Sequence, residues 1–361
     1  MGKKCTRRQF IKTTGGSLVA VGVLGGLGGV ERAFAKDTIV AVEWGGPNAA
    51  TNQKLLEKQN AIDVNWVYHS GGAAAILAKI RAIWPRVRYD VVAVWSPVFL
   101  TMIREGWAQT ITVKDVPNLA DIPDALLFKD DKGNCQGIPR ILTGIHWGYR
   151  EDTCPIAIKH IEDLLDPRLK GQISFPDPVL NLNLQMISLA KGRGGDVYNM
   201  EPGWEFIKEL VKSGNIGRIA HTDTENASSI TTGECSVMFG ASTSHSRVAK
   251  HFPYKYLTKV KDPGLKTALI MEGWTVLKGG NTKGAFEFLN FLLRADNQEE
   301  FGMATGAVPT NKKAKVSTKL SHMQFTEEEL AAHAYNPDFE YISKQADGWL
   351  KRWEKEVVPM L

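Results

Sequence analysis

From residue 37 to residue 95 short apolar runs alternate with amphipathic ones. DTIVAVEW (37–44) is apolar and β-branched and reads as a buried strand, followed by a Gly-Gly-Pro turn and a helix from about Ala49 to Asn60. IDVNWVYHS (62–70) alternates with period two, which predicts a second strand, and AAAILAKIRAIW (73–84) has helical spacing. YDVVAVW (89–95) is continuously apolar, the form of a strand buried on both faces of a parallel sheet. The β-α-β-α-β order predicts a doubly wound half-domain, and such sheets bind ligands beyond the carboxyl ends of their strands. Trp44, Ser70 and Trp95 fall there.

The middle of the chain changes character. GIPRILTGIHWGYRED (137–152) predicts extended segments that join one lobe to another, and IEDLLDPRLKGQISFPDP (161–178) a helix, a turn and a new strand. Helices are expected at about 181–191 and 201–213, strands in IGRIAHTD and GECSVMFGA, and a pair of strands in TALIMEGWTVLKG (267–279). TKGAFEFLNFLLRADNQEEFGMATG (282–306) predicts a strongly amphipathic helix followed by another. The fold class is α/β, with the chain crossing between two lobes more than once. Residues 36–140 and 265–315 are assigned to lobe 1, 141–264 to lobe 2, and 316–361 to a C-terminal helical segment packing on them.

The first 35 residues stand apart. TTGGSLVAVGVLGGLGGV (13–30) is at the lower edge of a bilayer span and too rich in glycine to anchor well, and Ala33-Phe34-Ala35 supplies an A-x-A cleavage site. Thr6-Arg7-Arg8-Gln9-Phe10-Ile11-Lys12 resembles a twin-arginine export signal, so cleavage after Ala35 is expected. Cys5 precedes the apolar run and does not have the placement of a lipid-attachment cysteine. The whole chain carries 44 Lys+Arg against 39 Asp+Glu. Removing Lys3, Lys4, Arg7, Arg8, Lys12, Arg32 and Glu31 with the signal leaves 38 of each. A neutral product gives no support to a nucleic-acid or anionic-membrane partner.

Three cysteines remain beyond residue 35, Cys135, Cys154 and Cys235. Cys135 and Cys154 flank a predicted strand pair and are the candidates for a bridge; Cys235, in an apolar strand pattern, reads as a buried free thiol. No C-x-x-C-H, H-E-x-x-H, G-x-S-x-G or strand-linked G-x-G-x-x-G occurs, and GRGGD (192–196) follows a helix as its stop signal. No metal or other cofactor is expected, and an exported enzyme is the rival to a binding protein.

YDVVAVWSPVFLTMIREGWAQTI, GIPRILTGIHWGYRED, EDLLDPRLKGQISFPDP, GECSVMFGAS, GAFEFLNFLLRADNQ and GAVPTN (306–311) follow one another in this order. Over residues 38–315 the chain resembles the periplasmic solute-binding proteins of ABC importers, in the branch that holds spermidine and putrescine binders together with iron, thiamine and phosphonate binders. The resemblance implies a two-lobed type II fold whose cleft closes on a solute by hinge motion, the transition for which periplasmic binding proteins are the usual illustration. It implies a periplasmic monomer without catalysis, a small charged organic solute as ligand, and the membrane subunits of an ABC permease as partner. A binding lobe that feeds a sensor is a further alternative.

In the polyamine branch aromatic rings box the methylene chain and carboxylates hold the ammonium ends. On that pattern Trp44 stands at the aromatic after the first strand. Trp95, with Ser96 beside it, stands where a tyrosine follows the third. Asp177 matches a second-lobe carboxylate, Phe239 an aromatic, and Glu272 a carboxylate near the second crossover. The departures are Gly46 and Leu180, where acids are expected, and Ile270, where an aromatic is expected, so a polyamine with several cationic ends is less well served. Ser70, Gly71 and Gly72 open the second helix, where backbone N–H groups favour an anion, although Ser70 also suits a plain helix cap. Arg140 replaces an aromatic of the pattern and serves either as a bidentate carboxylate ligand or as a salt-bridge partner. His69, His245 and Arg247 are weaker candidates. A zwitterion, an ω-amino acid or aminophosphonate, would use both sets of groups. Iron binders of this branch present adjacent tyrosines, and none occur here; a ferric or carboxylate ligand is kept as the alternative.

Overall fold

The computed structural model of the protein describes residues 37–69, 72–86 and 88–361. The export signal expected at 1–35 lies outside the described residues, as do Ser70 and Gly71. The alternation at 37–95 folds as β1 (Asp37–Glu43), α1 (Pro47–Leu56), β2 (Ile62–Tyr68), α2 (Gly72–Ile83), β3 (Val91–Trp95) and α3 (Ser96–Arg104). Strands β1 and β2 pair in parallel from Asp37↔Ile62 to Glu43↔Tyr68, and β1 pairs in parallel with β3. All three strands therefore end at one edge, where Glu43, Trp44, Tyr68 and Trp95 gather.

After the short β4 (Phe128–Lys129) comes β5 (Cys135–Arg150), one 16-residue strand in place of several extended pieces. The second lobe continues with β6 (Ile173–Pro176), α4 (Leu184–Gly192), α5 (Glu201–Ser213), β7 (Ile216–Ala220), α6 (Asp223–Thr231), β8 (Val237–Ala241), α7 (Ser242–Ala249) and β9 (Tyr254–Tyr256). The helix expected after residue 161 is two short 3-10 turns, Ile161–Leu165 and Pro167–Leu169. Pro167 forces the residue before it out of helical geometry, and Asp166 sits at φ −59, ψ 126 while its carboxylate caps Arg168 N. Next is β10 (Thr267–Val276), a single strand where two were expected. It is followed by α8 (Thr282–Leu292), α9 (Ala295–Thr305), β11 (Val308–Pro309), α10 (Glu327–His333), β12 (Ala334–Tyr335) and α11 (Phe339–Glu356).

The first half of β5 pairs antiparallel with β10, from Ile138↔Trp274 to Ile145↔Ala268, and its second half with β8 and β9. On its other edge β10 pairs antiparallel with β3, Glu272 opposite Trp95. The result is one continuous sheet in the order β2-β1-β3-β10-β5-β8-β6-β7. The two largest cores lie along it. Ile39, Ala41, Val91, Trp274 and Phe288 pack in the first lobe, and Trp147, Phe175, Leu189, Trp204 and Phe239 in the second. This is the two-lobed α/β architecture, with β5 and β10 as the crossovers.

The C-terminal segment adds a piece that the periodicity did not indicate, since β12 pairs in parallel with β10 at Thr267 and Ala268. Helix α11 then lays Phe339, Ile342 and Trp353 into the second core, Trp353 stacking on Phe175 at 6.0 Å. All three described cysteines are free thiols. Cys135 begins β5 and Cys154 lies beyond its far end. At about 3.3 Å per residue this separation far exceeds the roughly 7 Å between Cα atoms that a disulfide tolerates.

Candidate functional site

The carboxyl edge of β1–β3 meets the crossover strands at a cluster of buried charges. Glu43, the last residue of β1, is fully buried, and Arg140 on β5 is 3% exposed. The guanidinium reaches Glu43 through two bonds, Nη1 to Oε2 at 2.7 Å and Nη2 to Oε1 at 3.0 Å, and Nη2 also donates to Glu272 Oε1. Its plane lies between the rings of Trp274 and Phe301, 4.6 Å and 4.3 Å from their centroids, so cation-π contact adds to the pairing. Burial works against the charge on Arg140, but the two flanking carboxylates outweigh it and hold the guanidinium more firmly protonated than usual.

Glu43 is saturated. Besides the arginine it accepts from Trp44 N at 2.7 Å and from the Asn52 amide on α1. Glu272 is not. Its Oε1 takes Arg140 and, at 3.1 Å, Asn48 Nδ2, while among the described residues Oε2 accepts nothing. One guanidinium therefore serves two carboxylates, and the excess negative charge sits on Glu272, whose side chain is 14% exposed. Burial raises the proton affinity of Glu272, Arg140 opposes this, and Glu43 adds to it; the net direction is upward.

Aromatic groups adjoin both carboxylates, Trp95 opposite Glu272 and Trp44 next to Glu43. Trp95 faces Glu272 across the β3–β10 ladder, where opposed Cβ atoms lie about 5 Å apart. Trp44 stacks on His69 at 3.8 Å and 18°. His69 Nε2 donates to Ala93 O at 2.8 Å, which leaves Nδ1 as an acceptor. Burial lowers the proton affinity of this ring and keeps it neutral. Neither His69 Nδ1 nor Trp44 Nε1 has a partner among the described residues. Buried polar atoms are rarely left this way, and both belong to the stacked pair that adjoins Glu43.

The remaining sequence candidates divide. Gly72 is the first residue of α2, at the same edge. Ser96 is spent on structure, its hydroxyl donating to Met271 O at 3.3 Å and accepting from Met271 N at 2.9 Å, which ties α3 to β10. Asp177 follows β6 at the carboxyl edge of the second lobe, one-fifth exposed and 3.6 Å from His221. Phe239 is corrected to a core position: it is 1% exposed and packs edge-on against Trp147, because β8 is buried on both faces. Of the two roles open to Arg140, the structure shows the salt bridge, which ties Glu43 to Glu272. His245 is buried behind the crossover, bonded to Tyr254. The acid missing at Gly46 has a backbone cause: the residue sits at φ 66, ψ −138, a conformation open to glycine and closed to an acidic side chain. Glu43, Asn48 and Asn52 escaped the sequence reading, though an acid within DTIVAVEW was the available signal. Among the described residues no group of three or more His, Cys, Asp or Glu is placed to hold a metal ion, and no helix is long and apolar enough to cross a membrane.

Residues 53–326, most of the chain, match the family profile described as bacterial extracellular solute-binding protein. The chain belongs to this family. Among curated proteins no sequence matches it. The fold of this solute-binding protein is shared by solved structures of low identity. It is similar to a putative spermidine/putrescine ABC transporter from Listeria monocytogenes (16% identity, TM-score 0.71, covering 89% of this chain and 99% of that one). It is also similar to a periplasmic binding protein from Actinobacillus pleuropneumoniae with fructose-6-phosphate bound (18%, TM-score 0.69, 90% and 99%) and to an iron-bound protein from Pseudomonas aeruginosa (17%, TM-score 0.67, 87% and 98%). Cargoes this different on one scaffold mean that the fold does not choose the solute; the side chains at the cleft do. Membership of a solute-binding family also decides against the enzyme reading.

Proposed function

We propose that this solute-binding protein is the exported, periplasmic receptor of an ABC importer and that it captures a small organic solute by a primary ammonium group. The single observation that carries the reading is the imbalance at the cleft: two carboxylates, one buried and one 14% exposed, around one arginine, with Glu272 Oε2 left open beside Trp95. An ammonium placed there neutralises the excess charge, donates to Glu272, and lies against the Trp95 ring, which favours cations and their methylene chains. Asp177, on the facing lobe, is the candidate for a second cation, and the N-terminus of α2 for an anion, so a diamine and an ω-amino acid both fit the chemistry. Arg140 is already committed to two carboxylates, which argues against a purely anionic solute. Closure of the lobes then presents the loaded protein, as a monomer, to the permease.

The test is calorimetric titration of residues 36–361 with putrescine, spermidine, γ-aminobutyrate, 2-aminoethylphosphonate, succinate and ferric citrate. Binding is expected only among the amines, and Glu272→Gln should weaken it by roughly ten- to a hundredfold, the value of a charge-assisted hydrogen bond. The variant removes the excess buried charge, so its stability without solute should hold or rise. Equal binding of succinate or ferric citrate by both proteins would overturn the reading.

A further inference from the structure

Helix α11 belongs to the second lobe by its packing. Its side chains enter that core, Arg352 pairs bidentately with Glu201 at 2.7 and 2.8 Å, and Lys208 reaches Glu356 at 2.6 Å. Its first turn is fixed with equal care: the Asp338 carboxylate accepts from Tyr341 N at 2.9 Å and from the Tyr198 hydroxyl at 2.8 Å. Yet the first residue of the helix, Phe339, meets the other lobe. Its ring stands edge-on to Trp95 at 5.7 Å and 78°, and α11 touches α3, which follows Trp95 directly. Trp95 packs in consequence against buried residues of both lobes. An aromatic pair of this geometry contributes more than its buried area alone.

The position matters because Trp95 is the ladder partner of Glu272. We propose that the Phe339–Trp95 contact latches the two lobes at one end of the cleft and thereby sets the length of solute that fits alongside Glu272. The latch rests on the reading of Glu272 as the ammonium site for its length-setting role, but not for its effect on the lobes. Closure by hinge motion changes the distance between elements that belong to different lobes, and Phe339 on α11 and Trp95 on β3 are such a pair. A solute held at Glu272 and extending past Trp95 runs into the Phe339 ring, so removing the ring opens that end.

The experiment uses residues 36–361 and two variants, Phe339→Ala and Phe339→Leu, the second preserving much of the buried volume should the first unfold. Spin labels on cysteines introduced at the exposed rim positions Tyr68 and Val179 report the lobe separation without solute. Both variants should widen or broaden this distance, and an unchanged distribution in a folded variant overturns the latch. The same proteins are titrated with 1,3-diaminopropane, putrescine, cadaverine and spermidine. The optimum should move towards longer chains, with the ratio of long- to short-chain affinity rising about tenfold, equivalent to about 1.4 kcal/mol; an unchanged length profile also overturns the inference. If the parent protein binds none of these amines, the ammonium reading fails on its own, and the label distance still decides whether Phe339 holds the lobes.

Discussion

Arg140 shows how a single residue resists assignment from sequence. A guanidinium inside GIPRILTG has to meet a carboxylate, since an unpaired buried charge is far too costly. The sequence does not say whether that carboxylate is the protein's own or the solute's. The fold answers it through Glu43, 97 residues away, and Glu272, 132 residues away. An arginine shared this way is expensive to lose and cheap to replace together with its partners. Arg140→Met, close in length and apolar enough for the slot between Trp274 and Phe301, leaves two carboxylates uncompensated and should cost about 3–5 kcal/mol. Urea denaturation at pH 7 measures this. Adding both Glu43→Gln and Glu272→Gln should recover most of the loss, because the charged cluster is then removed as a unit, and failure to recover would show that Arg140 stabilises mainly through its ring contacts.

At the scale of elements, the strands at 37–95 were legible because apolar runs, turns and amphipathic spacing all agree there. The crossovers were less so. At 267–279 the apolar pattern is interrupted by Glu272-Gly273, which reads as a turn between two strands. In the structure those residues form a bulge within one strand, where Gly273 approaches the β5 backbone so closely that a Cβ would strike Ile138 O. The first crossover, β5, carries a feature that spacing does not reveal. His146 on β5 stacks on His245 of α7 at 4.1 Å, and His322, from the 3-10 turn Thr318–Met323, stacks on Tyr256 of β9 at 3.6 Å. His245 Nε2 donates to backbone carbonyls of His146 and Gly240, and its Nδ1 accepts from the Tyr254 hydroxyl at 2.6 Å, so the neutral ring is satisfied. Burial drives all three downward from 6.5, His245 to about 3, His322 to about 4 and His146 well below its ordinary value. In the unfolded chain these rings take protons near pH 6.5. Below that pH the unfolded state binds more protons than the folded one, so stability falls as pH falls, progressively towards about 4 and then 3. Glu272, raised by burial, works in the opposite sense. A drop of a few kcal/mol between pH 7 and 4.5, reduced in His245→Gln, is the expected result by urea denaturation. A flat profile in this window, above the range in which paired surface carboxylates titrate, would contradict neutral buried histidines.

At the scale of the whole molecule, the two lobes are not two folding units. The first core is assembled from residues on both sides of the second, Ile39 to Ile141 and then Trp274 to Ala307, and the second core is completed by Phe339 and Trp353 from the end of the chain. Strands β5 and β10 contribute to both lobes as single elements, and their ladder forms the middle of one unbroken sheet. The order of segments made two lobes and repeated crossing readable in the sequence, whereas the return of β12 to β10 and of Phe339 to Trp95 depends on two-residue and single-residue contacts that leave no periodic trace. With so few independent connections, neither lobe can unfold without exposing a face of the crossover ladder that the other lobe covers. Thermal unfolding of residues 36–361 is therefore expected as one calorimetric transition with equal calorimetric and van't Hoff enthalpies. A bound amine at about a hundred times its Kd should raise that single transition by about 2.7 kcal/mol of added stability without splitting it. Two transitions, only one of them moved by the solute, would mean that the ladder at β5 and β10 is a flexible seam and that cleft closure is decoupled from the stability of either lobe. A single shifted transition would instead place hinge, cleft and cores in one cooperative system, in which the solute stabilises the second lobe through contacts made mainly by the first.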